Sequence, residues 1–214
     1  MCDVIGKDIV NDIFFAHLES IKLLRAFPYV LVMDSTYKTN RYNMPLFEIV
    51  GFTCTWKVFC TTFAFMNSER EDNYTWILTK LKELLTDHSM PMPIAFITDR
   101  ELALLNALRE VFPTCHSLLC RRHIEKNCQT YVVKQTGKVS NVYAFQHMCK
   151  KSLESTTEQS YNEQLDVIDK DWKSFGLASY LRKTWLNPYK ERIVSAWCDR
   201  INHFGHHTTN RYTF

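Results

Sequence analysis

The chain has 214 residues, 46% hydrophobic and 23% charged, with five Gly and six Pro; this excludes a disordered or fibrous protein and allows one good core with an appended module. A formal net charge of +3 does not by itself establish a polyanionic partner. No apolar run approaches the roughly 20 residues that span a bilayer, and the opening MCDVIGKDIVNDIFF has no basic stretch leading into an apolar one, so neither a membrane nor a secretory role is expected.

Residues 1–28 read as a helical lead-in, with IVNDIFFAHLESIKLLRAF as its helix. Residues 29–37, YVLVMDSTY, are an apolar run ending in a carboxylate and hydroxyls, the pattern of a buried strand that runs into a site, with Asp34 near its C-terminal end. FEIVGFTCTW and VFCTTFAFMN, rich in β-branched and aromatic residues, predict an antiparallel meander after it. REDNYTWILTKLKELLTD places Trp76, Ile77, Leu81, Leu84 and Leu85 at helical spacing behind an acidic start. A second buried strand, PIAFITD, leads into the amphipathic ELALLNALREVF, with Thr98 and Glu101 at capping-box spacing. HSLLC and RRHIEKNCQTYVVK repeat the pattern in brief, so a core over 29–134 reads β-β-β-α-β-α-β-α. Strand signals then vanish, and 135–205 reads as an all-helical insertion with Trp185 and Trp197 in its core.

Two strands each end in an aspartate, Asp34 and Asp99. Numbering the five core strands in sequence, a mixed sheet of order 3-2-1-4-5 makes these two parallel neighbours and brings the carboxylates to one edge. Two such groups repel unless a divalent cation lies between them, and Mg²⁺ with retained waters suits that arrangement. Taken singly, each also reads as a structural residue: Asp99 as a helix N-terminal group, Asp34 as a turn residue after a strand.

LVMDSTYKTNRYNMPLFEIVGFT resembles the first-aspartate block of Mutator-like transposase domains, including plant far-red-impaired-response proteins and fungal counterparts; ITDRELALLNALREVFP resembles the second-aspartate block and LLCRRHIEKN the Cys-x-x-His block that follows. TWLNPYKERIVSAWCDRINHFGHHTTNR is similar to the stretch that closes the helical insertion, so the likeness runs in family order from about residue 13 to the end. The resemblance implies an RNase H-like α/β fold of the DDE transposase type, with Asp34 and Asp99 holding Mg²⁺ (or Mn²⁺). It further implies a DNA partner, the transposon ends; a homo-oligomer is an option and nuclear localisation is expected. In the family a glutamate follows the Thr-Thr-Asn-Arg run, whereas this chain reads TTNRYTF and has Thr213 in its place. The segment 206–214 therefore reads as the truncated start of the third-carboxylate segment, and the chain as a truncated or inactive copy, with a domesticated, non-catalytic DNA-binding regulator as the rival reading. Substitutes such as Glu154, Glu158 or Glu163 lie in the predicted insertion.

Eight Cys, at 2, 54, 60, 115, 120, 128, 149 and 198, lack the density of a disulfide scaffold and suit a reducing compartment. Cys120 and His123 have the spacing of half a zinc site, with Cys115, Cys128, His203, His206 and His207 as completing ligands, but a closed site needs four ligands and only this one pair has suggestive spacing. Zinc is not expected; the pair reads as an accessory that packs the helix at 121–134, or that sets His123 near the scissile phosphate. The closing stretch interleaves Lys183, Lys190, Arg192 and Arg200 with aromatic residues, which suits contacts to DNA phosphates.

Overall fold

The structure is a computed structural model that describes residues 10–137, 139–173 and 176–208. It is a mixed α/β protein with a six-stranded sheet of order β1-β4-β3-β2-β5-β6. The strands are β1 (Ile13–Phe15), β2 (Val30–Thr36), β3 (Leu46–Phe52), β4 (Val58–Phe65), β5 (Ala95–Thr98) and β6 (His116–Leu119). β1 corrects the helical lead-in: a short strand precedes the helix α1 (Leu18–Ala26). Three residues are too few for a period to show, and β1 is held through its partner. It pairs antiparallel with β4, and Phe15 stacks on Phe63 and Phe65 with ring centroids 5.4 and 6.1 Å apart. The sheet thus has six strands instead of the expected five, and without β1 the others follow β4-β3-β2-β5-β6.

The chain divides into two compact units, between which β2 is shared. The first takes the sequence through Pro28, Met33–Pro91 and Leu102–Pro113. In it β3 and β4 form the expected antiparallel hairpin, with an irregularity between Ile49 and Val50. Gly51 lies opposite Phe59, and a Cβ there would come within 2.7 Å of the Phe59 ring, so only glycine admits the aromatic at this cross-strand pair. Helix α2 (Glu71–Asp87) buries Tyr74, Ile77, Leu78, Leu81 and Leu85, and α3 (Leu102–Val111) buries Leu104, Leu105, Ala107, Leu108 and Val111, the stripes that their 3.6-residue periods dictate. Asn106 donates to Glu71 at 2.9 Å between these two helices.

The second unit holds Tyr29–Val32, Met92–Glu101 and everything from Thr114. Val30, Leu31 and Val32 of β2 pair in parallel with Ala95, Phe96 and Ile97 of β5, and β5 pairs in parallel with β6. All seven residues from Ala95 to Thr98 and from Val30 to Val32 are buried, as strands in a parallel ladder covered on both faces require. Six helices follow: α4 (Arg121–Thr136), α5 (Val139–Leu153), α6 (Glu158–Trp172), α7 (Leu177–Leu181), α8 (Asn187–Ile193) and α9 (Ser195–Cys198), with a π-helical turn over Arg182–Leu186. No strand occurs among the described residues of this stretch. Aromatic contacts hold it: Phe145 on Trp172, Tyr161 on Trp197, and Tyr131 stacked on Tyr180 at 3.7 Å. Trp185 is 2% exposed, as expected of a core residue, while Trp197, expected in the core as well, is only half-buried, with Tyr161 and Lys190 as its neighbours.

Candidate functional site

Asp34 is the fifth residue of β2, the first after the buried run Val30–Met33, and is half-buried. The Ser35 backbone N–H donates to its Oδ1 at 3.1 Å. On the neighbouring strand β3, Glu48 is also half-buried, between buried Phe47 and Ile49. Burial raises the Glu48 carboxyl above its usual range, and the negative charge of Asp34 raises it further. Two carboxylates that feel each other in partly excluded solvent are a hard-oxygen donor set. Sequence reasoning assigned Glu48 no role; its signal was a lone acid inside the apolar strand FEIVGF.

Asp99 directly follows β5 and is half-buried. The expected capping box at Thr98 and Glu101 does not form the corner: α3 starts only at Leu102, and the Thr98 hydroxyl donates to the Asp99 carbonyl oxygen at 2.8 Å. Arg100 turns to the helical stretch, donating to the Thr184 carbonyl at 3.1 Å and lying 4.3 Å over the Trp185 ring. The corner after β5 is therefore tied to the π-helical turn.

Cys120 caps α4 and is buried, its thiol donating to the Thr208 hydroxyl at 3.8 Å, while His123 is half-buried one turn on. Two residues that a zinc site at this pair would have drawn on, Cys115 and Cys128, are engaged elsewhere. Cys115 donates to the Pro93 carbonyl at 2.9 Å, and Cys128 shares a hydrogen bond with the buried Cys149, whose thiol that bond and burial hold well above its ordinary value. The histidines gather instead on Asp199: His203 Nε2 lies 3.1 Å and His207 Nε2 3.7 Å from Asp199 Oδ1, and the imidazole centroids are 4.3 Å apart. Among the described residues, these three form the grouping whose donor atoms all lie within 4.8 Å of one another. Burial first, then the Arg121 guanidinium, push His207 down to about 3, so it is neutral at ordinary pH. Arg121 in turn donates to the Ile193 carbonyl at 2.8 Å and to the Ser195 hydroxyl at 3.0 Å, and its backbone N–H donates to the His207 carbonyl at 2.9 Å. Sequence reasoning named His203 and His207 but passed over Asp199, although the three recur at every fourth position.

The basic residues divide. Lys183 is exposed and lines a cleft of about 610 Å³ together with Lys170, Lys173 and Arg182, the last paired with Asp169. Lys190 is turned onto Trp197, Arg192 is half-buried, and exposed Arg200 pairs with Glu158 at 3.7 Å. Lys170 and Lys173 carried no signal in the sequence because they lie outside the closing stretch that holds the charge excess. Of the substitute acids, Glu154 pairs with Lys150 at 3.7 Å and Glu163 accepts from Gln159 at 3.1 Å. Thr213 lies outside the described residues.

Residues 30–127 match the MULE transposase domain family. Among curated proteins, FAR1-related sequence 5 of Arabidopsis thaliana is 24% identical over 168 residues, 76% of this chain, and FAR1-related sequence 6 of the same plant is 23% identical over 156 residues, 73% of it. The chain spans 21% of the length of each of these plant relatives. The PKS-NRPS hybrid synthetase cheA of Chaetomium globosum is 31% identical over 97 residues, 45% of this chain but 2% of the synthetase.

Proposed function

We propose, from the match of residues 30–127 to the MULE transposase domain family and the likeness to two plant FAR1-related proteins, that the chain engages DNA through an RNase H-like fold with a divalent-cation site to which Asp34 and Asp99 contribute. The observation that carries this reading is the family match itself, which spans both aspartates, each of them half-buried directly after a buried run, Val30–Met33 for Asp34 and Ala95–Thr98 for Asp99.

The donor set suits Mg²⁺ or Mn²⁺, which take carboxylate oxygens and water, and Glu48 supplies a further oxygen close enough for Asp34 to act on it. When bound, such an ion polarises a phosphodiester and stabilises the charge that develops during strand cleavage. The chain's own part is to hold the ion with Asp34 and Asp99, and to seat backbone phosphates on Lys170, Lys173 and Lys183. A DNA partner sets the nucleus as its place of work. At position 213, where the resemblance puts a third carboxylate, this sequence has threonine, neutral and a far poorer ligand for Mg²⁺. The chain is therefore expected to bind the ion and DNA without cutting. The same threonine favours a second reading, a domesticated DNA-binding regulator that needs no ion.

The test is Mn²⁺ titration and plasmid nicking by the chain, set beside an Asp34→Ala, Asp99→Ala double variant. Ion binding that is lost in the double variant supports the site, and equal binding by both overturns it. Nicking by the parent that disappears in the double variant would show that the site is complete without a carboxylate at 213. DNA binding that needs no ion and survives both substitutions would favour the regulator.

A further inference from the structure

We infer that Asp199, His203 and His207 form a second metal site, selective for Zn²⁺ or a similar transition ion, with three protein ligands and a fourth position open to solvent. It shares no residue with the site proposed above, and the two stand or fall separately.

The geometry comes first. Zinc bonds of about 2.0 Å in a tetrahedron put neighbouring ligand atoms about 3.3 Å apart. The Nε2 atoms of His203 and His207 lie 3.1 and 3.7 Å from the same carboxylate oxygen, Asp199 Oδ1, on either side of that value. A hydrogen bond accounts for the first approach but not for the second, which is too long for one. Two imidazole nitrogens converging on one oxygen is the arrangement that a cation among the three would complete.

The cluster is also built. His203 is 3% exposed, and its Nδ1 is buried with no hydrogen-bond partner among the described residues. No second bond therefore fixes the ring's tautomer, and Nε2 is able to present a lone pair to a metal in place of a proton to Asp199. The chain between the histidines turns back through two left-handed residues, Phe204 at φ 53° and Gly205 at φ 72°, which is how residues spaced along a loop come to face one aspartate. The phenylalanine pays a steric cost in that region that glycine does not. The Arg121 N–H to His207 carbonyl bond then holds the second imidazole from the first residue of α4.

The three ligands set the class of ion. Two imidazoles and one carboxylate suit zinc, nickel or iron better than magnesium, which prefers oxygen throughout. The Arg121 guanidinium opposes any cation, and its two bonds to Ile193 and Ser195 hold that charge on backbone and hydroxyl. Beside His207 lies a cleft of about 340 Å³ bordered by Glu125 and Glu154 and also by Arg121 and Arg122, an entry path of mixed charge that leaves the ion class to the three ligands themselves. Three protein ligands and an exposed fourth position are the pattern of a zinc site that keeps a water.

The experiment strips the chain with EDTA, then titrates Zn²⁺ against a chromophoric chelator and records the absorption of the Co²⁺ form. One Zn²⁺ per chain is expected, with a four-coordinate Co²⁺ spectrum that lacks a thiolate charge-transfer band. Asp199→Asn, His203→Gln and His207→Gln should each weaken binding about tenfold or more, and Cys120→Ser with His123→Gln should leave it unchanged. Thermal unfolding in EDTA checks that each variant is folded; where one is not, the Co²⁺ spectrum of the parent decides. Absence of stoichiometric Zn²⁺ uptake, a thiolate band, or binding lost with Cys120 and kept without His207 would each overturn the site.

Discussion

Aspartate appears in two settings in this molecule, and the company it keeps decides what it can hold. Asp34 follows the buried run of β2 and feels a second carboxylate, Glu48, a pair of hard-oxygen donors. Asp199 follows a short helix in a loop and faces two imidazoles. The first set matches Mg²⁺ or Mn²⁺, the second Zn²⁺. On the two proposals above, one residue type serves two chemistries because a strand and a loop recruit different neighbours.

The largest effect should come from the core of the helical stretch from which the second setting is drawn. Trp185, under the Arg100 guanidinium, is 2% exposed, and Trp185→Ala should cost about 3–5 kcal/mol in urea unfolding. A loss below about 1 kcal/mol would show that the helical stretch does not depend on this side chain.

The comparison itself is tested by exchanging ions. Asp34→Asn should weaken Mn²⁺ binding by about tenfold to a hundredfold and leave Zn²⁺ binding unaltered, while His207→Gln should do the reverse. Competition of both ions for one set of residues would collapse the two sites into one.

A smaller effect is expected of the basic cleft. Replacing Lys170, Lys173 and Lys183 by Gln should weaken DNA binding evenly across sequences, and the slope of log affinity against log salt should fall by about 0.9 for each phosphate no longer neutralised. An unchanged slope would move the DNA-binding surface to another face.

The smallest and most local test concerns Cys198, next to Asp199. Burial pushes its thiol up to about 12, which leaves roughly one part in ten thousand as thiolate at pH 8. Iodoacetamide at that pH should modify exposed Cys54 and spare Cys198. Ready alkylation of Cys198 would supply a thiolate beside Asp199 and remove the contrast between an imidazole site and a sulfur one.

The amino-acid sequence by itself determined the elements and where each aspartate falls in them. The run VLVM ahead of Asp34 and AFIT ahead of Asp99 encode buried strands, and the stripes of α2 and α3 encode helices, because burial of one face imposes a period on neighbouring positions. Likeness in the blocks around those aspartates added what periodicity could not, the family that they resemble. Tertiary structure alone decided which distant residues meet. β1 exists because β4 offers it an edge and two phenylalanines. Glu48 feels the charge of Asp34 because the meander returns it there, and Trp197 meets Tyr161 and Lys190. His203 and His207 meet at Asp199 across a loop that turns through two left-handed residues. A period records which face of a segment is buried, and it carries no information about what the buried or polar atoms touch.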